Sequence, residues 1–167
     1  MTSSMWNISL DDGTLGNLTP PDEIVAIQCK HLENMTGGKI IAKISPNRVY
    51  DDNYPDDNTF KFEFFLTSTF TPAYKYSVMF ISHKIEYYPL TVEIDHDIAK
   101  EMDISIFVTA NDEEEFISIL SKIINSEKVK KVINSLYSMI KSHERKNDAF
   151  FEKRVVKVNE NGIISRY

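Results

Sequence analysis

The sequence predicts an α+β fold: an N-terminal helix, a meander of four or five antiparallel strands, and two C-terminal helices packed on one face of the sheet. Three observations predict it. Apolar residues recur at helical spacing near the start of the chain and again after residue 112, and between these segments they alternate with polar residues. Strands with one apolar and one polar face are typical of an antiparallel sheet that is covered on one side.

Length and composition limit the classes of protein to which the chain can belong. Its 167 residues fit one domain over residues 1–167, and 42% hydrophobic with 26% charged residues is an ordinary globular composition. The single cysteine, Cys29, excludes a disulfide framework and a cysteine-rich zinc site. The N-terminus shows neither a basic nor an apolar leader region, so we expect a soluble cytoplasmic protein that does not associate with a membrane.

The first helix is predicted over residues 21–36, after an irregular, turn-rich arm over residues 1–20. Apolar residues recur on one face of this segment, and two carboxylates in its first turn suit the positive end of the helix dipole. The pair Gly37–Gly38 can end the helix because glycine readily adopts the left-handed conformation of a helix C-terminus.

Alternation of apolar and polar residues predicts four strands and a shorter fifth, over residues 39–45, 59–67, 73–84, 87–94 and 104–108. Pro89 cannot donate to a strand ladder, so it predicts that the fourth strand lies at an edge or contains a bulge. The strand residues that we expect in the core are Phe62, Phe64, Val78, Phe80, Leu90 and Val92.

Two helices are predicted after the strands. The run Asn111–Glu115 opens the first, because a capping side chain is followed by carboxylates in the first turn. Ser126 can cap the second, which we expect to end near His143. Residues 147–167 are expected to form a hairpin, which the Asn-Gly pair at position 161 favours, or a frayed tail. The helical residues that we expect in the core are Leu120, Ile123, Ile133 and Leu136.

The charge of the chain is unevenly distributed. Residues 1–115 carry 20 acidic and 8 basic side chains, whereas residues 116–167 carry 5 acidic and 11 basic ones, which gives the net charge of -6. The acidic part could attract a basic partner. The alternative is that the two parts lie together in the fold and neutralise each other. The net acidity and the scarcity of aromatic residues among the C-terminal lysines disfavour nucleic-acid binding.

Two features are candidates for contact with a basic protein partner. One is a loop between the first two strands whose carboxylates are Asp51, Asp52, Asp56 and Asp57. The other consists of aromatic residues predicted on the sheet face opposite the main apolar set: Phe65, Tyr87 and Phe107. Aromatic residues rimmed by charge are typical of protein interfaces. The alternatives are a solvated loop and a sheet that helices cover on both faces.

One cluster of side chains in the sequence is a candidate for catalysis. A metal-dependent hydrolase would need the cluster of histidines and carboxylates near the fourth strand: His83, Glu86, Asp95, His96 and Asp97. The alternative is a solvated acidic turn, and the sequence contains no nucleophile elbow, Walker or dinucleotide-binding motif. The sequence therefore predicts no cofactor and favours a non-enzymatic protein-binding module, in the manner of small bacterial immunity, antitoxin or inhibitor proteins. It leaves the oligomeric state open.

Overall fold

The computed structural model describes residues 18–47 and 59–161, with only the backbone described from residue 148 onward. In chain order the elements are helix α1 (Pro21–Met35), strands β1 (Ile40–Pro46), β2 (Phe60–Ser68), β3 (Tyr76–His83) and β4 (Leu90–Ile94), helix α2 (His96–Met102), strand β5 (Phe107–Ala110), and helices α3 (Glu113–Ile124) and α4 (Glu127–Asn161). The predicted α+β class is confirmed.

The strands form one antiparallel sheet in the order β1-β2-β3-β4-β5, so each strand pairs with its neighbours in the sequence. The predicted meander is therefore confirmed, and β1 and β5 are its edge strands. β4 begins at Leu90, immediately after Pro89, and lies between two other strands. The expectation that Pro89 places the fourth strand at an edge or in a bulge is wrong, because Pro89 precedes the ladder and needs no donor in it.

The core lies between one face of the sheet and the helices. Buried residues of all four helices share a cluster with Phe64, Leu66, Ile81 and Val92 of the strands. The predicted core residues that are buried are Phe64, Val78, Leu90, Val92, Leu120, Ile123 and Leu136. Those that are only partly buried are Phe62, Phe80 and Ile133.

A β-bulge in β3 explains the position of Phe80. The register with β2 shifts by one residue and leaves Val78 without a partner. Both Val78 and Met79 are buried, as expected where an extra residue interrupts the alternation. Beyond the bulge the side chains change faces, so Phe80 pairs with Glu63 on the face away from the core. The prediction that Phe80 and Val78 share a face is wrong for this reason.

Two helical features differ from the prediction. The short helix α2 was not predicted; it begins where the Asp95 carboxylate accepts hydrogen bonds from the N–H groups of Asp97 and Ile98. Helix α4 continues to Asn161 instead of ending near His143, so the hairpin or frayed tail expected from residue 147 onward is helix as far as Asn161. Because no proline or glycine interrupts residues 127–161, nothing in that sequence stops the helix.

Candidate functional site

The face of the sheet away from the core brings aromatic and charged side chains together. Phe65 of β2, Phe80 of β3 and Phe107 of β5 alternate with core residues and therefore lie on this face. Phe107 is 61% exposed, and the other two rings are partly buried. The described helices bury their apolar residues with the opposite face. We call this surface the open face.

Glu63 is at the centre of one charged group on the open face. Its carboxylate accepts a 2.6 Å hydrogen bond from Lys75 Nζ and another from the Ser77 hydroxyl. Burial by itself would raise the pKa of Glu63, but the hydrogen bonds from Lys75 and Ser77 and the charge of Lys75 hold that pKa below its ordinary value. Lys75 Nζ also lies 4.4 Å from the centroid of the Phe65 ring, within the range of a cation–π contact.

A second group repeats this arrangement on the neighbouring strands. Lys61 Nζ lies 3.2 Å from Glu93 Oε2 and 5.0 Å from the centroid of the Phe80 ring. In both groups a lysine is therefore paired with a carboxylate and stacked over an aromatic ring. The charges cancel within each pair, so the Phe65 and Phe80 rings lie beside polar side chains that together carry no net charge.

Carboxylates that have no such partner gather where α1 and α3 begin. The N–H of Thr19 donates to Glu113 Oε2 at 3.2 Å, which ties the start of one helix to the other. The carboxylates in these two first turns are Asp22, Glu23, Glu113, Glu114 and Glu115. Among the described residues, no lysine or arginine forms an ion pair with them. We call this part of the surface the acidic end.

Of the residues that were predicted to contact a partner, the structure describes Phe65, Tyr87 and Phe107. Phe65 and Phe107 lie on the open face, as expected from the alternation. Tyr87 lies in the turn after β3 with a φ of 67°, and its ring packs edge-on against His83 with centroids 5.6 Å apart. The assignment of Tyr87 to a strand is therefore wrong. The loop residues Asp51, Asp52, Asp56 and Asp57 lie outside the described residues.

The carboxylates of the hydrolase hypothesis are engaged in other contacts. Asp95 Oδ1 caps α2 and also accepts a 3.0 Å hydrogen bond from the Tyr76 hydroxyl. Asp97 forms a 2.5 Å ion pair with Lys128, and the hydrogen bond and charge of that lysine lower the pKa of Asp97. His96 is exposed beside Asp97, with 3.7 Å between Nδ1 and Oδ1. Within the described ranges, no three histidine, cysteine or acidic side chains form a group that could hold a metal ion.

His83 lies among aromatic rings instead of carboxylates. Its ring stacks on Phe60 and Phe62, with centroid distances of 5.5 and 5.7 Å. Its Nδ1 donates to the carbonyl oxygen of Lys84 at 2.6 Å, since a carbonyl can only accept. Glu86 is exposed in the following turn. The five residues of the hydrolase hypothesis are therefore not assembled as that hypothesis requires.

Two members of the open face were missed from the sequence. Lys75 precedes β3, and its position over Phe65 depends on the pairing register of the strands. Phe80 was assigned to the core because the bulge cannot be located from alternation alone. The only sequence signal for it was the unbroken apolar run Val78–Ile81, in which a regular half-exposed strand would have a polar residue.

Comparison with protein-family models, curated protein sequences and solved structures found no match to this chain. In the part of the chain that the structure describes, no helix is both long enough and apolar enough to span a membrane.

Proposed function

We propose that this protein is a non-enzymatic module that binds another protein, and that its partner is basic. The observation that carries the proposal is the open face, where Phe65, Phe80 and Phe107 lie among charged side chains. Aromatic residues with a polar surround are enriched in protein interfaces and supply most of their binding energy. Small bacterial immunity, antitoxin and inhibitor proteins act by such binding.

The basic character of the partner is supported by the acidic end. Lys61 and Lys75 are neutralised by Glu93 and Glu63, so the paired groups do not determine the charge that a partner meets. The carboxylates at the start of α3, which form no ion pair with a described lysine or arginine, follow β5 within a few residues of the chain. Charge of one sign beside an interface raises the association rate of a partner of opposite sign.

Aromatic rings on a sheet also occur in proteins that bind single-stranded nucleic acid. Those proteins need cations that are free to neutralise phosphates. On the open face, Lys61 and Lys75, which lie over the Phe80 and Phe65 rings, are paired with carboxylates 3.2 and 2.6 Å away. The arrangement therefore favours a protein over a nucleic acid.

The experiment is capture of the partner from native cells, followed by affinity measurements on the purified pair. We expect Phe107→Ala to weaken binding at least about tenfold, as truncation of a central interface aromatic does. Met35→Ala is the matched control, because Met35 is 83% exposed and lies at the end of α1 on the helix side. It should change affinity less than about twofold.

The charge component is tested with a variant in which Asp51, Asp52, Asp56 and Asp57 are all replaced by asparagine. We expect slower association at low salt, because four negative charges are lost, and little change in the free energy of unfolding, because asparagine nearly preserves the size of aspartate. Equal losses from the Phe107 and Met35 variants would contradict the open face as the interface. A captured partner whose association does not depend on salt would contradict its basic character.

A further inference from the structure

We propose that β5 accepts an extended basic segment of the partner as a sixth strand of the sheet. This inference rests on the proposed function and specifies how the partner would be held. In strand addition, backbone hydrogen bonds supply affinity and alternate side chains supply specificity.

The outer edge of β5 presents backbone groups that no other strand of the described chain uses. Ile106 O accepts a 2.8 Å hydrogen bond from the N–H of Ile94 in β4. Hydrogen-bonded pairs alternate along an antiparallel ladder, so Val108 and Ala110 also direct their backbone groups toward β4. Thr109, between them, directs its N–H and C=O away from the sheet. These are the groups that an added strand would bond.

This edge is accessible to a partner. Every residue from 103 to 107 is exposed, and so are Thr109 and Asn111. Ile104 and Ile106 are 39% and 37% exposed, which adds apolar surface beside Phe107. An added strand could therefore bury apolar side chains as well as form backbone hydrogen bonds.

β5 is short, with four residues, and the N–H of Phe107 donates to the Ser105 hydroxyl at 3.2 Å, but β5 lacks the side chains that usually block an edge strand. Natural edges are blocked by lysine, proline or a bulge. The other edge strand, β1, carries Lys43 and Pro46 and packs against α1. The sequence of β5 is Phe-Val-Thr-Ala, with no charged residue and no proline. The difference between the two edges singles out β5 as the one open to pairing.

Charge at both ends of β5 identifies the occupant as basic and not as a second copy of this chain. Asp103 lies before the strand, and Asp112 and Glu114 follow it; all three are exposed. If two copies paired their β5 strands antiparallel about a twofold axis, Asp103 of one would approach Asp112 of the other, and like charges would repel. An extended segment with lysine or arginine near its ends would be attracted at both ends.

The test measures binding of a synthetic peptide of alternating lysine and valine, with the glutamate–valine peptide as its control. Hydrogen exchange of the backbone amides, followed by NMR, should show that the lysine peptide protects Thr109. Thr109→Pro removes the outward N–H of residue 109 and leaves the hydrogen bonds to β4, because Val108 and Ala110 form those bonds. Thr109→Ala keeps the outward N–H and is the control. We expect at least about tenfold weaker binding for the proline variant and less than about twofold change for the alanine variant.

A second variant keeps the test decisive if Thr109→Pro fails to fold. Asp103 has a left-handed backbone with a φ of 54°, and Asp112 caps α3. Asparagine suits both positions, so the double variant Asp103→Asn, Asp112→Asn removes charge while keeping the local structure. It should weaken binding of the lysine peptide at low salt. Unchanged binding would overturn the assignment of a basic occupant.

Three other results would overturn the inference: the glutamate peptide binding as tightly as the lysine peptide, the folded proline variant binding like the alanine variant, or the wild-type protein dimerising through β5. Measurements with the captured partner separate this inference from the proposed function. If Phe107→Ala weakens the complex and Thr109→Pro does not, the open face binds the partner without strand addition. If neither variant weakens it, both proposals fail.

Discussion

The placement of the core on one face of the sheet predicts very different costs for two phenylalanine truncations. Phe64 of β2 is 3% exposed, whereas Phe107 of β5 is 61% exposed on the open face. A buried phenylalanine removes roughly 150–250 Å² from water, which corresponds to about 4–6 kcal/mol at ~25 cal/mol per Å². The alanine side chain still contributes part of this burial energy, whereas the cavity left by the ring destabilises the protein further. Phe64→Ala should therefore lower the free energy of unfolding by about 3–5 kcal/mol.

Phe107→Ala is the matched control, because less than half of its surface is buried and water can fill the space that it leaves. We expect it to lose about 1 kcal/mol. The measurement is urea unfolding followed by circular dichroism, with a common slope for wild type and both variants. If Phe64→Ala loses less than about 1 kcal/mol, or if Phe107→Ala loses more than Phe64→Ala, the two faces of the sheet are assigned in reverse.

Three further predictions concern single side chains. Asp95→Ala should cost about 0.5–2 kcal/mol by removing the cap of α2, and Asp95→Asn should restore most of it in the same urea experiment. The pKa of Glu63 is lower in the folded than in the unfolded protein. Its contribution to stability is therefore present above pH 4.5 and is lost as the pH falls through the folded pKa. In the Glu63→Gln variant, the free energy of unfolding should depend less steeply on pH in that range. Burial raises the pKa of Cys29 to about 11, so the native thiol should react with iodoacetamide at pH 8 at least about 100-fold more slowly than the unfolded one.

The elements that could be predicted from the sequence are those whose pattern is local. The first turn of α3 is an example, because the Asp112 side chain accepts the hydrogen bond from the N–H of Glu115 that a capping residue is expected to accept. The strand pattern in β2 also sufficed to place Phe64 in the core and Phe65 on the other face. In both cases the residues that decide the structure are neighbours in the chain.

The features that could not be predicted depend on pairing between strands or on residues far away in the sequence. The bulge at Val78 arises from the register between two strands, and it moved Phe80 from the predicted core to the open face. Asp95 was grouped with a metal site because its neighbours are acidic, yet Tyr76, 19 positions earlier, donates a hydrogen bond to it. The loop carboxylates of Asp51–Asp57 lie outside the described residues, so their role stays a prediction.

The carboxylates around β5 have two consequences that support each other. A sheet edge without lysine, proline or a bulge is a hazard, because it can pair with the same edge of another copy. Asp103 and Asp112 lie at opposite ends of β5, so in the proposed mode of binding they would oppose that pairing by repulsion between like charges and would attract a basic segment to the same backbone groups. Neutralising them should therefore weaken binding of the basic peptide and at the same time raise the tendency of the protein to self-associate. If the carboxylates only prevented self-association, neutralising them would raise self-association without weakening binding of the basic peptide.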